Sequence, residues 1–377
     1  MLPDGTILAA GGTNGPSILR SADTFDPVTE TFTPVANPMR HVRDLHSATL
    51  LPNGRVLIAG GFTTNAISTG STNTAEIYYP DTRVFIETTP MISSRSNHTA
   101  IMLPDGRVFV AGGFGTNSLL QNDVASDTAE IYVSTNGRWM AAANMPAGCE
   151  RAVHATVQLK DGRIAMFGGI NASGVLDTTA VYTPVTNTWS CASVAAMPTP
   201  LRSHSATLLF DGRVLIAGGN DGLGEANKAF IYDPRSNTWA ATDPLPLLQP
   251  RFSHTATLLP NGNVMITGGS QKFGDVPESV EVFHVNASSW VTFTGVDGGF
   301  IAGARAFHTM TLALNNKLYA IGGSDGLVGG VGVSLYTNVE RGTSPPRPTP
   351  SRRTLLRASA SPRSPPPARR RSFPGPT

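Results

Sequence analysis

Five arginines stand three residues ahead of a histidine: Arg43 before His46, Arg95 before His98, Arg151 before His154, Arg251 before His254 and Arg305 before His308. Arg202 stands two ahead of His204. Imidazoles ligate metals and guanidinium groups grip oxyanions. A metal centre needs several ligands on one point, whereas a histidine recurring once per sequence unit is spread out as the units are. The six histidines are therefore read as structural, each bonding neighbouring backbone, and no metal, cofactor or catalytic residue is expected. The arginines admit two roles. Each pairs with a local acid or carbonyl, with Asp44, Glu76, Glu130, Glu150 and Glu281 at hand, or the six converge and bind a carboxylate, sulfate or phosphate.

The spacing identifies the elements that position them. Gly-Gly pairs begin at Gly11, Gly60, Gly112, Gly168, Gly218, Gly268 and Gly322, and each of the last six follows its histidine by 14 residues. The second members are Gly61, Gly113, Gly169, Gly219, Gly269 and Gly323. In five of these six units an Asn-Gly or Asp-Gly step lies between histidine and glycines, as at Asn53-Gly54 and Asp211-Gly212, flanked by apolar runs; this predicts a tight hairpin. A third strand is marked by Ala75–Tyr78 and its equivalents, and a fourth by Phe85, Trp139, Trp189, Trp239 and Trp290. Four strands in about 50 residues, recurring without helical periodicity, predict antiparallel sheets that bury their faces only by stacking on one another.

This pattern of His, turn, Gly-Gly, Tyr and Trp resembles the kelch repeat of galactose-oxidase-like β-propellers over residues 1–340. The resemblance implies an all-β, seven-bladed propeller of four-stranded antiparallel blades. In it Gly-Gly ends the second strand and aromatic residues pack between blades. The first blade lacks an inner strand, and the last, whose third strand is placed around Ser334-Leu335-Tyr336, lacks a Trp-bearing outer strand, which predicts a truncated or displaced reading frame or an open seam between them. The fourth-to-first and second-to-third connections share one face in such a blade. There the six arginines would meet the variable loops 62–73, 114–127, 170–177, 220–226, 270–277 and 324–333, where recognition usually resides.

Composition narrows the classes. The chain has 377 residues, only 14% charged, with 39 Gly and 29 Pro. No apolar run reaches the length of a membrane span. Two cysteines exclude a disulfide framework or Cys-rich zinc module; Cys149 and Cys191 are placed apart, as free thiols. The last 37 residues carry nine Arg and no acid, so the first 340 hold 19 basic against 26 acidic residues, a net of −7. That body is not built for nucleic acid. Residues 341–377, rich in Pro, Arg and Ser, are expected to be disordered. Phosphate loops, nucleophile elbows and His-Glu-x-x-His motifs are absent.

The copper oxidases that the resemblance brings in use a Tyr–Cys radical, a second Tyr and two His. Only His41 and His284 lie outside the repeat, and neither cysteine completes such a set. The expected function is a monomeric, non-catalytic recognition module, extracellular or on the cell surface with any leader missing. Its expected partner is a protein segment or glycan, acidic in character, held by Arg43, Arg95, Arg151, Arg202, Arg251 and Arg305. The alternative is a sugar epimerase or mutarotase, and less so a copper oxidase, at the same channel mouth.

Overall fold

The computed structural model describes residues 1–14, 16–64, 69–116, 123–241, 247, 249–271, 276–277, 279–293, 305–323 and 339–340. The basic tail expected at 341–377, the loop 324–333 and the strand expected at 334–336 lie outside the described residues. Among the described residues every regular element is a strand, and no helix is long and apolar enough to cross a membrane.

Blade 1 shows how the repeat folds. The inner strand Ser47–Leu50 pairs with Val56–Ala59, which pairs with Ala75–Tyr79, which pairs with Val84–Glu87, all antiparallel. Val56–Ala59 is buried throughout, as its unbroken apolar run implies. The hairpin between the first two strands turns through Pro52-Asn53, with Gly54 N–H on Leu51 O at 2.9 Å and Leu51 N–H on Arg55 O at 2.8 Å. Only Gly54, at φ +79°, is left-handed; Asn53 instead accepts Arg55 N–H on its side chain. The expected tight hairpin is thus a type I turn closed by a glycine bulge.

The same sheet recurs in blade 2 (99–141), blade 3 (155–190), blade 4 (205–241) and blade 5 (255–293). Among the described residues blade 6 has three strands, Thr309–Leu312, Leu318–Ile321 and Val339–Glu340. A further sheet at the N-terminus, Ile7–Ala10, Ala22–Asp26 and Thr31–Pro34, has no inner strand. Six sheets, not seven, therefore possess the inner strand that follows a repeat histidine. The expected seven four-stranded blades are corrected to six blades, five of them four-stranded, because the first Gly-Gly pair belongs to the sheet without an inner strand.

Apolar clusters fill each junction between successive sheets. Leu103, Phe109, Ile131, Ile164, Met166 and Tyr182 join blades 2 and 3, for example. The expected open seam is absent. Ile7 and Phe25 of the N-terminal sheet pack on Ala313, Tyr319 and Ile321 of blade 6, and Tyr319 donates to Pro27 O at 3.0 Å. On the other side, Leu2, Ala22 and Met39 pack on Val56, Ile58 and Tyr78 of blade 1. The N-terminal sheet thus joins the last blade to the first.

Candidate functional site

The arginines do not stand free at the channel mouth. Arg43, Arg95, Arg151 and Arg251 are 0% exposed and Arg305 1%. Arg95 shows the arrangement: its Nη1 donates to Gly112 O at 2.8 Å, and its Nη2 to Glu130 Oε1 at 2.8 Å. Glu130 also accepts the backbone N–H groups of Ile92 and Ser93, two residues of the connection that carries the arginine. Arg43 with Glu76 and Arg251 with Glu281 repeat the pair at 2.7 Å each. Glu150 and Asp44, the other expected partners, bond elsewhere: Glu150 takes Gly148 N–H and Asn171, while Asp44 caps Leu45 N–H. The expected ligand-binding rim is therefore corrected for these five residues. Their terminal Nη groups bond the blade itself, so they fasten each interblade connection to the sheet that follows.

Two blades depart from the pattern. Ala180 in blade 3 holds the register position of Glu130, pairing with Met166 as Glu130 pairs with Val110. Arg151 accordingly donates to Met166 O, Gly168 O, Thr178 O and Cys149 O. In blade 4, Phe230 takes the Glu position, and Leu201 takes the Arg position, its carbonyl accepting Gly169 N–H as Arg95 O accepts Gly61 N–H. Arg202 is one residue out of phase with the other arginines. It is half-buried and bridges to Asn220 at the start of a surface loop.

Three of the six repeat histidines link blades by hydrogen bonds, while both ring nitrogens of His154 and His204 are buried without such a link. His98 shares a hydrogen bond with Ser47 of the preceding blade at 2.9 Å, as do His254 with Ser205 and His308 with Thr255. Burial, reinforced by the arginine three residues back, pulls His46 down to about 4 and His254 to about 3. His154 and His204 fall likewise to about 3, His308 to about 4, and His98 well below its usual value. The 14-residue offset follows from contact. A Cβ on Gly61 would meet His46 Cβ of its own blade at 2.9 Å, and one on Gly60 would meet Arg95 O at 2.5 Å and His98 Cε1 of the next blade at 2.9 Å. The five pairs beginning at Gly60, Gly112, Gly168, Gly218 and Gly268 are the points where one blade's second strand touches two successive histidines, whereas the first and last pairs touch one each, His46 and His308.

Residues that sequence reasoning missed lie immediately before those histidines. Leu45, Asn97, Val153, Ser203, Ser253 and Phe307 all have φ between 50° and 60°. Asn97 N–H donates to Leu45 O, Val153 to Asn97, Ser203 to Val153, Ser253 to Ser203 and Phe307 to Ser253, at 3.0–3.4 Å. Six blades are thereby joined in one arc of backbone hydrogen bonds at the head of their inner strands. Left-handed conformation is costly for Val and Phe, and such strain gathers at working surfaces. Phe307 is 64% exposed and Leu45 40%, and no residue of the arc is charged. The available signal was variability: six different contexts beside one fixed histidine.

The second-to-third connections surround the arc. Bridges such as Asp44 with Phe62, Ser96 with Phe114 and Ala152 with Ile170 tie them to the histidine-bearing segments, so both emerge on one face. Three form small hairpins, Phe62–Thr64 with Thr69–Ser71, Phe114–Thr116 with Asp123–Ala125, and Ile170–Asn171 with Gly174–Val175. Adjacent hairpins touch one another.

Trp139, Trp189 and Trp239 sit at the outer edge, each donating its indole N–H to a carbonyl of the preceding blade or the connection after it, Thr89, Ala143 and Ala195 respectively; Trp290 is buried against Phe283. Cys149 and Cys191 remain free thiols but are not apart. Both border the cluster between blades 2 and 3, and burial beside Cys149 pushes the Cys191 thiol up to about 12.

Comparison with known proteins agrees with this geometry. The kelch-repeats domain described as KLHDC2/KLHL20/DRC7 matches residues 130–323, and the kelch motif matches residues 3–39. No curated protein matches. Two solved structures share the fold. One is described as the structure of YjhT, with a TM-score of 0.58, 14% identity, and coverage of 77% of this chain and 97% of that one. The other is a fungal alcohol oxidase of the AA5 family in complex with copper, with a TM-score of 0.66, 15% identity, and coverage of 90% of this chain and 71% of that one. Copper does not fit the described residues here, where no three His, Cys, Asp or Glu side chains gather and the repeat histidines are enclosed between blades. The match over more than half of its length, with the repeat geometry above, establishes that the chain belongs to the KLHDC2/KLHL20/DRC7 kelch-repeats domain family.

Proposed function

We propose that this propeller is a non-catalytic recognition module that takes a protein segment or a glycan on the face bearing the arc and the hairpins. The observation that carries the reading is the arc itself: six consecutive strained residues, varied in type, held at fixed spacing by a rigid scaffold. The buried arginines remove the reason to expect an acidic ligand. The uncharged arc, with exposed Leu45 and Phe307 beside Asn97, Ser203 and Ser253, favours an uncharged segment with one apolar anchor.

The test is a peptide display library and a glycan array, each probed with the wild type and with a Leu45→Ala, Phe307→Ala double variant. The expected result is ligands retained by the wild type and lost by the variant at unchanged Tm. Retention by both proteins overturns the assignment to the arc. Interconversion of sugar anomers by the wild type would instead establish the alternative, a sugar-processing enzyme.

A further inference from the structure

The junction between blades 1 and 2 carries a pocket of about 220 Å³ at the end of the sheets opposite the arc, beside the Asn53-Gly54 turn. The repeats serve as internal controls for it. At the following two junctions the outer-turn residue is asparagine. Asn187 Oδ1 accepts Tyr182 O–H and the N–H of Ala143, and Asn237 Oδ1 accepts Tyr232 O–H and the N–H of Ala195. At the first junction this residue is Gly137, with the same left-handed backbone at φ +68°. A Cβ placed on it would have ordinary clearance, 3.6 Å from Thr88 and 3.8 Å from Tyr132. The space is therefore one that an asparagine fills elsewhere.

A second departure faces the same space. In blades 2, 3 and 4 the hairpin arginine is held by the turn aspartate, as Arg107 by Asp105, Arg163 by Asp161 and Arg213 by Asp211. In blade 1 that aspartate is Asn53. Among the described residues no carboxylate pairs with Arg55, whose guanidinium lies over the Tyr79 ring at 4.1 Å from its centroid. Stacking covers one face of the guanidinium and leaves its edge N–H groups available. Asn53 and Asn136 use their side-chain oxygens on local backbone N–H groups, so their amide N–H groups are the polar atoms left for a ligand. Ile77 and Ile86 supply apolar wall. Glu87 closes the far side, already bound to Arg40 and His41.

We propose that this pocket binds a small hydroxylated monocarboxylate of the size and type of a hexuronate. The carboxylate would lie on Arg55, with hydroxyls on the Asn53 and Asn136 amides and the ring against Ile77 and Ile86. A single carboxylate fits better than a phosphate, because one guanidinium balances one charge and Glu87 repels a second. The site is separate from the arc and does not depend on the function proposed there.

The test uses isothermal titration of the whole protein with sodium glucuronate, glucose and glucose 6-phosphate. Two variants copy neighbouring repeats and so should fold: Asn53→Asp gives Arg55 its missing partner, and Gly137→Asn fills the space. Saturable binding of glucuronate, at least about tenfold weaker in each variant, is the expected result. No saturation at millimolar glucuronate overturns the proposal, and so does equal affinity across the three proteins. Tighter binding of glucose 6-phosphate overturns the carboxylate assignment.

Discussion

A buried guanidinium tolerates its position only while its charge is balanced, and blades 1, 2 and 5 balance it with a glutamate. Blade 4 reaches the same shape with Leu201 and Phe230, an apolar pair in place of the ionic one. Breaking one partner of a buried pair costs about 3–5 kcal/mol, whereas replacing both by packed apolar groups is often neutral. Glu130→Ala should therefore lower unfolding stability by roughly 3 kcal/mol. The double change Arg95→Leu, Glu130→Phe should recover most of that loss in urea titrations. A single variant as stable as the wild type would show that the pair does not hold the connection. Sequence showed where these arginines recur but not whether they face solvent. The signal that separates the roles is pairwise: glutamate recurs with arginine in three blades and both vanish together in blade 4.

At the scale of the strand and its connections, the repeat was largely legible. The fixed interval from histidine to Gly-Gly marked the inner hairpin, and the tryptophans marked the outer strand. The hairpin was legible but its turn type was not, because Asn-Gly fits two hairpin geometries, and Pro52 ahead of it selects the one in which glycine alone is left-handed. The arc could not be read, since its hydrogen bonds join residues about 50 positions apart. The histidine latches give these elements a pH response. Imidazoles that fold neutral, with values pulled to about 3 or 4 from 6.5, contribute stability fully present above pH 6.5 and lost as pH falls toward those values. Each costs up to about 1.4 kcal/mol per pH unit over that interval. Tm should drop steeply between pH 6.5 and 5, above the range where most carboxylates protonate. A Tm flat across that interval would mean that the rings are not enclosed.

For the whole molecule, the question is closure. The N-terminal sheet packs on blade 6 through Phe25 and Tyr319 and on blade 1 through Ala22 and Ile58, so two clusters depend on it. Removing residues 1–34 would uncover both apolar faces. The variant should elute from size exclusion as aggregate and bind a hydrophobic dye; a monodisperse, cooperatively unfolding product would show that the remaining blades stand alone. Counting Gly-Gly pairs predicted seven blades because a pair marks a second strand, whether or not an inner strand precedes it.

The arc has a direction. Every one of its hydrogen bonds runs from an N–H on a later blade to a carbonyl on the blade before, and the bonds of His98, His254 and His308 and the indoles of Trp139, Trp189 and Trp239 reach backward in the same way. A ribosome delivers the earlier partner of each of these bonds first. Each blade after the first that leaves the exit tunnel therefore finds one side of its junction already in place, which favours assembly in the order of synthesis until the N-terminal sheet meets the last blade.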